Sequence, residues 1–149
     1  MESHRIARKA AIAFALGVLS VAAGGAALDS HGVVAPFPSV KLADDGDVKC
    51  LKGAVETGDP DKGPSTLILT ASPGCVVAPH FHTAGEQLLV ARGEVMTGMD
   101  GMKPAVLGAG GFAAMPGKVV HWFTCQSKAP CTMFVIFDAK YDIVWVKRP

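Results

Sequence analysis

The chain has 149 residues and a mass of 15.4 kDa; 50% of the residues are hydrophobic and 18% charged, and the formal net charge is +1. That length suits one domain with a sizeable core and leaves no room for a second. A near-neutral balance without a basic stripe or arginine cluster leaves no footprint for nucleic acid, and there is no P-loop, dinucleotide fingerprint or serine nucleophile elbow.

Arg5, Arg8 and Lys9 precede an alanine-rich apolar run over residues 10–27 that ends in the small residues Gly25-Ala26-Ala27. A basic start, an apolar stretch and a small-residue end read as a secretory signal peptide over residues 1–27. An uncleaved membrane anchor of that length would need a more hydrophobic composition. With no arginine pair, the general secretion route is favoured over the twin-arginine route. The expectation is a periplasmic or secreted protein with no membrane contact after cleavage. Beyond residue 27 the chain keeps 11 Lys and Arg against 12 Asp and Glu, a net charge of −1.

Residues 28–47 read as an extended N-terminal arm, with Pro36, Pro38 and few helix signals, ending in the solvated turn Asp44-Asp45-Gly46-Asp47. Residues 48–149 read as one all-β domain. Strands are expected over 48–55 and 66–71, separated by a loop rich in Gly and Pro. Further strands start at Gly93 and at Pro104, on either side of an Asp100-Gly101 turn, and 132–138 and 141–146 close the chain. Short strands at this spacing indicate an antiparallel sandwich or barrel. Phe81, Phe112, Trp122 and Phe123 are core candidates. Met96, Met99 and Met102 straddle a turn, so they read as filling a barrel end rather than as copper ligands.

Two segments carry chemistry. In the first, Gly74 is followed after five residues by His80-Phe81-His82, after three more by Glu86, and after six more by Gly93. On a strand, His80 and His82 share a face, and Thr83-Ala84-Gly85 is small enough to turn the chain so that Glu86 opens the returning strand. In the second, Gly110 is followed after five residues by Pro116-Gly117-Lys118-Val119-Val120-His121, where strand formers surround a lone histidine. Three imidazoles and one carboxylate around one volume suit a single divalent transition metal, with iron, manganese, copper, zinc and nickel all admissible. The expected ligands are His80, His82, Glu86 and His121, and Glu86 doubles as the candidate catalytic base.

These segments resemble the two motifs of the cupin superfamily of small β-barrels, in particular small single-domain secreted bacterial forms. The first motif matches at every defining position. The second has Lys118 where a glycine is usual and Cys125 where an asparagine is often found. The resemblance implies one jelly-roll-like antiparallel barrel and a wide range of functions: dioxygenases, oxalate-degrading enzymes, sugar isomerases and non-catalytic binding proteins. The expected function is an exported metal-dependent oxidoreductase of the dioxygenase kind, acting on a small oxygen-chelating molecule. The other readings are a non-catalytic binding module and a metal-dependent lyase or isomerase. A homodimer formed by the arm or an edge strand is compatible with a lone domain.

All four cysteines lie in the exported part, which makes disulfides the expectation. Cys125 and Cys131 flank a loop at 126–130 and are placed to clip neighbouring strands, leaving Cys50 for Cys75. The alternative turns Cys125 inward, on the face of His121, as a metal contact or redox thiol. Lys118 reads as an exposed turn residue, ahead of a role in drawing an acidic substrate to the mouth.

Overall fold

A computed structural model describes residues 32–147, so the signal peptide expected over 1–27 lies outside the described residues. The chain forms two antiparallel sheets. Their strands are β1 (Ala43–Asp44), β2 (Leu51–Gly58), β3 (Ser65–Ala71), β4 (Val76–Phe81), β5 (Glu86–Arg92), β6 (Val95–Met99), β7 (Ala105–Leu107), β8 (Phe112–Met115), β9 (His121–Cys125), β10 (Cys131–Phe137) and β11 (Val144–Trp145). One sheet runs β1-β2-β3-β10-β5-β8 and the other β11-β4-β9-β6-β7. Ahead of them, a short 3-10 turn spans Phe37–Ser39.

Alternation builds the core. Leu88 and Val90 on β5, Met133, Val135 and Phe137 on β10, and Phe123 and Cys125 on β9 all point into one buried cluster fed by both sheets. β10 is the spine of its sheet, pairing with β3 on one side and β5 on the other. Full burial of a residue such as Leu88 or Val135 contributes about 1.5–3 kcal/mol each. The expected all-β class holds, and the interior is the space between two facing sheets.

Several local expectations are corrected. Phe112 is not a core residue; it is 53% exposed, because β8 is the last strand of its sheet and turns that side chain outward. β8 itself carries no β-branched residue and owes its existence to pairing with β5, Glu86 opposite Met115 and Leu89 opposite Phe112. The strand expected over 141–146 shrinks to Val144–Trp145, which pairs with Phe81 and His80 of β4. Val119 and Val120 stay in the turn, and β9 begins at His121. Of the methionines, Met99 packs against the core from β6, whereas Met102 is exposed.

Both disulfides form as paired in the sequence reading, Cys50 with Cys75 and Cys125 with Cys131. Cys125 is therefore neither a thiol nor a metal contact. The first bond ties the start of β2 to the entry of β4, joining the two sheets. The second closes the β9–β10 connection.

Candidate metal centre

Pro79 sets the local geometry. It has no N–H to give the ladder, and the β4–β9 register shifts between Val77 and His80. Strict alternation would put Val77 and His80 on opposite faces; the bulge lets both point inward. His80 then sits directly across from His121 of β9. His82 follows the end of β4. The turn at 83–85 crosses from one sheet to the other and delivers Glu86 as the first residue of β5.

The turn is pinned at both ends. The Asp142 carboxylate accepts hydrogen bonds from the Thr83 N–H and hydroxyl, both at 2.7 Å, and the Asp138 carboxylate accepts one from the Gly85 N–H at 2.8 Å. A β-carbon at Gly117 would run into the Thr83 carbonyl oxygen, so the turn before β9 packs tightly on the turn after β4. The Lys118 N–H reinforces that contact by donating to the His82 carbonyl at 2.7 Å.

Four side chains expected from the sequence meet here. His80, His82, Glu86 and His121 each offer one donor atom, and these atoms lie within 4.8 Å of one another. All four are buried, with exposures of 3–6%. The Glu86 Oε2 lies 3.0 Å from the Nε2 of both His82 and His121. Each imidazole is held from behind by a main-chain carbonyl. Nδ1 of His80 donates to Ala78 at 2.7 Å, Nδ1 of His121 donates to Val119 at 2.9 Å, and Nδ1 of His82 donates to Asp142. With Nδ1 of each ring engaged by a carbonyl, every Nε2 faces the same volume, where those of His82 and His121 meet the Glu86 carboxylate, the arrangement that orients histidine metal ligands.

Electrostatics agree with that role. Burial pushes His80 down to about 4, against its bond to Ala78, so it is a neutral imidazole at pH 7. Burial favours the acid form of Glu86, but the hydrogen bonds from His121 and His82 outweigh it and hold the carboxyl at about 2. Burial opposes the protonated form of His121, and the Glu86 carboxylate overrides it, raising the group.

The donor set fits a divalent transition metal. Opposed ligands on one ion stand about 4.2 Å apart, twice a metal–nitrogen bond of about 2.1 Å, so shifts of a few tenths of an ångström close the set around a single ion. Three imidazoles and a carboxylate leave two positions of an octahedral ion for other ligands.

A cavity of about 130 Å³ opens beside the donors. Leu51, Leu67, Leu69, Val135 and Phe137 supply apolar wall, and Tyr141, Ile143, Asp45 and Asp47 also line it. The sequence pattern did not single out Tyr141, Asp142 or Ile143. The Tyr141 ring stacks near His82, 5.3 Å between centroids, and Phe137 approaches the same imidazole at 5.0 Å. Burial first, then the carboxylates of Asp45, Asp47, Glu86 and Asp142, push the Tyr141 phenol up to about 12, so it remains a hydrogen-bond donor at neutral pH. Asp45 and Asp47, read from sequence as a solvated turn, do form that turn, and it borders the cavity. Met115, paired across from Glu86, is buried behind it. Lys118 is exposed and does not line the cavity.

Comparison with known proteins agrees with this architecture. Residues 67–137 match the family model described as a cupin domain, and that segment contains all four donors. That segment, just under half of the chain, is thus similar to a cupin domain. An oxalate oxidase solved in complex with the substrate analogue glycolate is similar at 28% identity and a TM-score of 0.53, over 56% of this chain and 46% of that one. The chain therefore spans about half the length of that enzyme. The polyketide cyclase RemF from Streptomyces resistomycificus shares the fold at 18% identity and a TM-score of 0.67, covering 80% of this chain and 88% of that one. The oxalate decarboxylase of Lactobacillus farciminis, solved as a formate complex, shares it at 16% identity and a TM-score of 0.60, covering 74% and 34%. No curated protein matches the sequence.

Proposed function

We propose that this protein is an exported metal-dependent oxidoreductase of the dioxygenase kind, acting on a small molecule that chelates through oxygen. One observation carries the reading: four buried donors converge from both sheets, with all three imidazoles anchored through Nδ1 and their Nε2 atoms turned to one volume beside a cavity. His80, His82, Glu86 and His121 would hold the ion. Once bound, iron, manganese or copper supplies redox chemistry between an oxygen-chelating substrate and dioxygen, and zinc or nickel supplies Lewis acidity for a lyase or isomerase. The chain's own part is to position and to exclude water. The carbonyls of Ala78, Val119 and Asp142 keep the imidazoles in place, the apolar wall desolvates the ligand, and the Glu86 carboxylate is the group able to accept a substrate proton.

The resemblance to an oxalate oxidase supports oxidative chemistry, and the paired cysteines support an oxidising, extracytoplasmic location reached through the 1–27 signal segment. Closure of the two sheets into a jelly-roll barrel, with residues 48–149 as its unit and 28–47 as an arm, belongs to the same reading.

The test is elemental analysis of protein purified without chelator, followed by oxygen uptake with catechol-like and enol-like compounds. Near one equivalent of iron, manganese or copper together with substrate-dependent oxygen uptake is the expected result. Stoichiometric metal with no turnover across a broad panel would reassign the protein as a binding module.

A further inference from the structure

The walls of the cavity specify more than the presence of a metal. Resting on the metal-site reading above, we propose that the site prefers an uncharged oxygen chelator of about the size of a single six-membered ring, and that Asp45 and Asp47 turn away dicarboxylates such as oxalate. Three independent features of the cavity lead there.

The first is size. The space is about 130 Å³, and an apolar cavity of about 150 Å³ holds one benzene. A one-ring diol or a smaller enol fills that space, and a second ring would have to project through its open side. The second is the wall. Leu51, Leu67, Leu69, Val135 and Phe137 offer apolar surface that rewards a hydrocarbon body and gives a carboxylate no hydrogen bond. The third is charge. Among the described residues no lysine or arginine lines the cavity, whereas Asp45 and Asp47 both do.

Neither carboxylate is in an ion pair among the described residues, and that of Asp45 is also held in place. The Asp45 side chain accepts the N–H groups of Asp47 at 2.9 Å and Val48 at 2.7 Å, which fixes it in the turn. The nearby Lys52 pairs with Asp44 instead, at 2.9 Å, and among the described residues no ion pair reaches Asp45 or Asp47. A dianion reaching the ion passes like charge that no lysine or arginine in the wall offsets, a selectivity against it that an uncharged chelator does not meet. The likeness to an oxalate oxidase therefore extends to the fold and stops at the ligand.

Calorimetry on the metal-loaded protein tests this, with catechol, oxalate and 2,3-dihydroxybiphenyl as probes and metal content measured in the same samples. Catechol should bind, oxalate should bind at least about tenfold more weakly, and the two-ring diol should gain nothing over catechol from its second ring. In D45N/D47N the oxalate affinity should rise about tenfold relative to catechol; asparagine keeps the side-chain oxygen that holds the turn. Equal affinity for oxalate and catechol in the parent protein, no catechol binding, or an unchanged ratio in the double variant would each overturn the selectivity. A protein that takes up no metal would instead overturn the metal-site reading, and this inference with it; the metal measurement separates the two failures.

Discussion

His82 performs three tasks from one position. Its Nε2 is a candidate ligand, its Nδ1 engages the Asp142 carbonyl, and its own carbonyl accepts the Lys118 N–H. Only the first two need the imidazole. His82→Ala is therefore expected to lose most of the metal while retaining the β signal in circular dichroism; full occupancy in that variant would remove His82 from the ligand set. Lys118 poses the opposite case. It sits at φ 67°, a left-handed conformation that suits glycine, and the motif glycines Gly74, Gly93 and Gly110 also take positive φ. For a lysine this costs about 1–2 kcal/mol, against about 0.5–1 kcal/mol of extra chain entropy that a glycine loses on folding. Lys118→Gly should thus raise stability by about 0.5–1 kcal/mol in denaturant titration and leave metal content unchanged. Lower stability would mean that the lysine side chain contributes something its exposed position does not reveal.

Among the elements, what could be read in advance was whatever depends on local spacing. The His-x-His repeat put two imidazoles on one face, and the small turn at 83–85 returned Glu86 to them. The Pro79 bulge was harder, because it breaks the alternation that such reading assumes. Residues 141–143 look like strand in the sequence for a plain reason: Tyr and Ile have strand propensity wherever they stand. What removes them from the sheet is a contact 59 residues away, the Asp142 carboxylate on Thr83, and no local pattern encodes it. That segment matters to the site, since it brings a carbonyl to His82 and two side chains to the cavity. Asp142→Ala should loosen it and lower metal affinity by about 10–100-fold, as loss of an orienting partner does elsewhere. Metal competition titration measures this, and an affinity within about twofold of the parent would show that the backbone holds its place without the carboxylate.

For the molecule as a whole, the cross-links decide where it can work. The Cys50–Cys75 bond closes a separation of 25 residues between the two sheets, and its removal should cost about 2–4 kcal/mol. A Cys50→Ser/Cys75→Ser variant compared with the parent by equilibrium unfolding checks the figure; a difference under about 0.5 kcal/mol would mean that packing and the Cys125–Cys131 bond, which also joins the sheets, suffice to hold their relation. No thiol is free among the described residues, so the denatured, unreduced protein should not react with a thiol reagent. One ending of the chain has a different consequence. The stretch after β10 supplies Tyr141 and Ile143 to the cavity wall, the Asp142 carbonyl to His82, and in Trp145 an indole 5.3 Å from the His80 ring. Anything that holds the three imidazoles in register also holds this tail against the sheet, and the coupling is reciprocal. The stretch is in effect a latch whose bolt is the ion: an unloaded protein would yield it first to an endoprotease, and a loaded one would keep it shut.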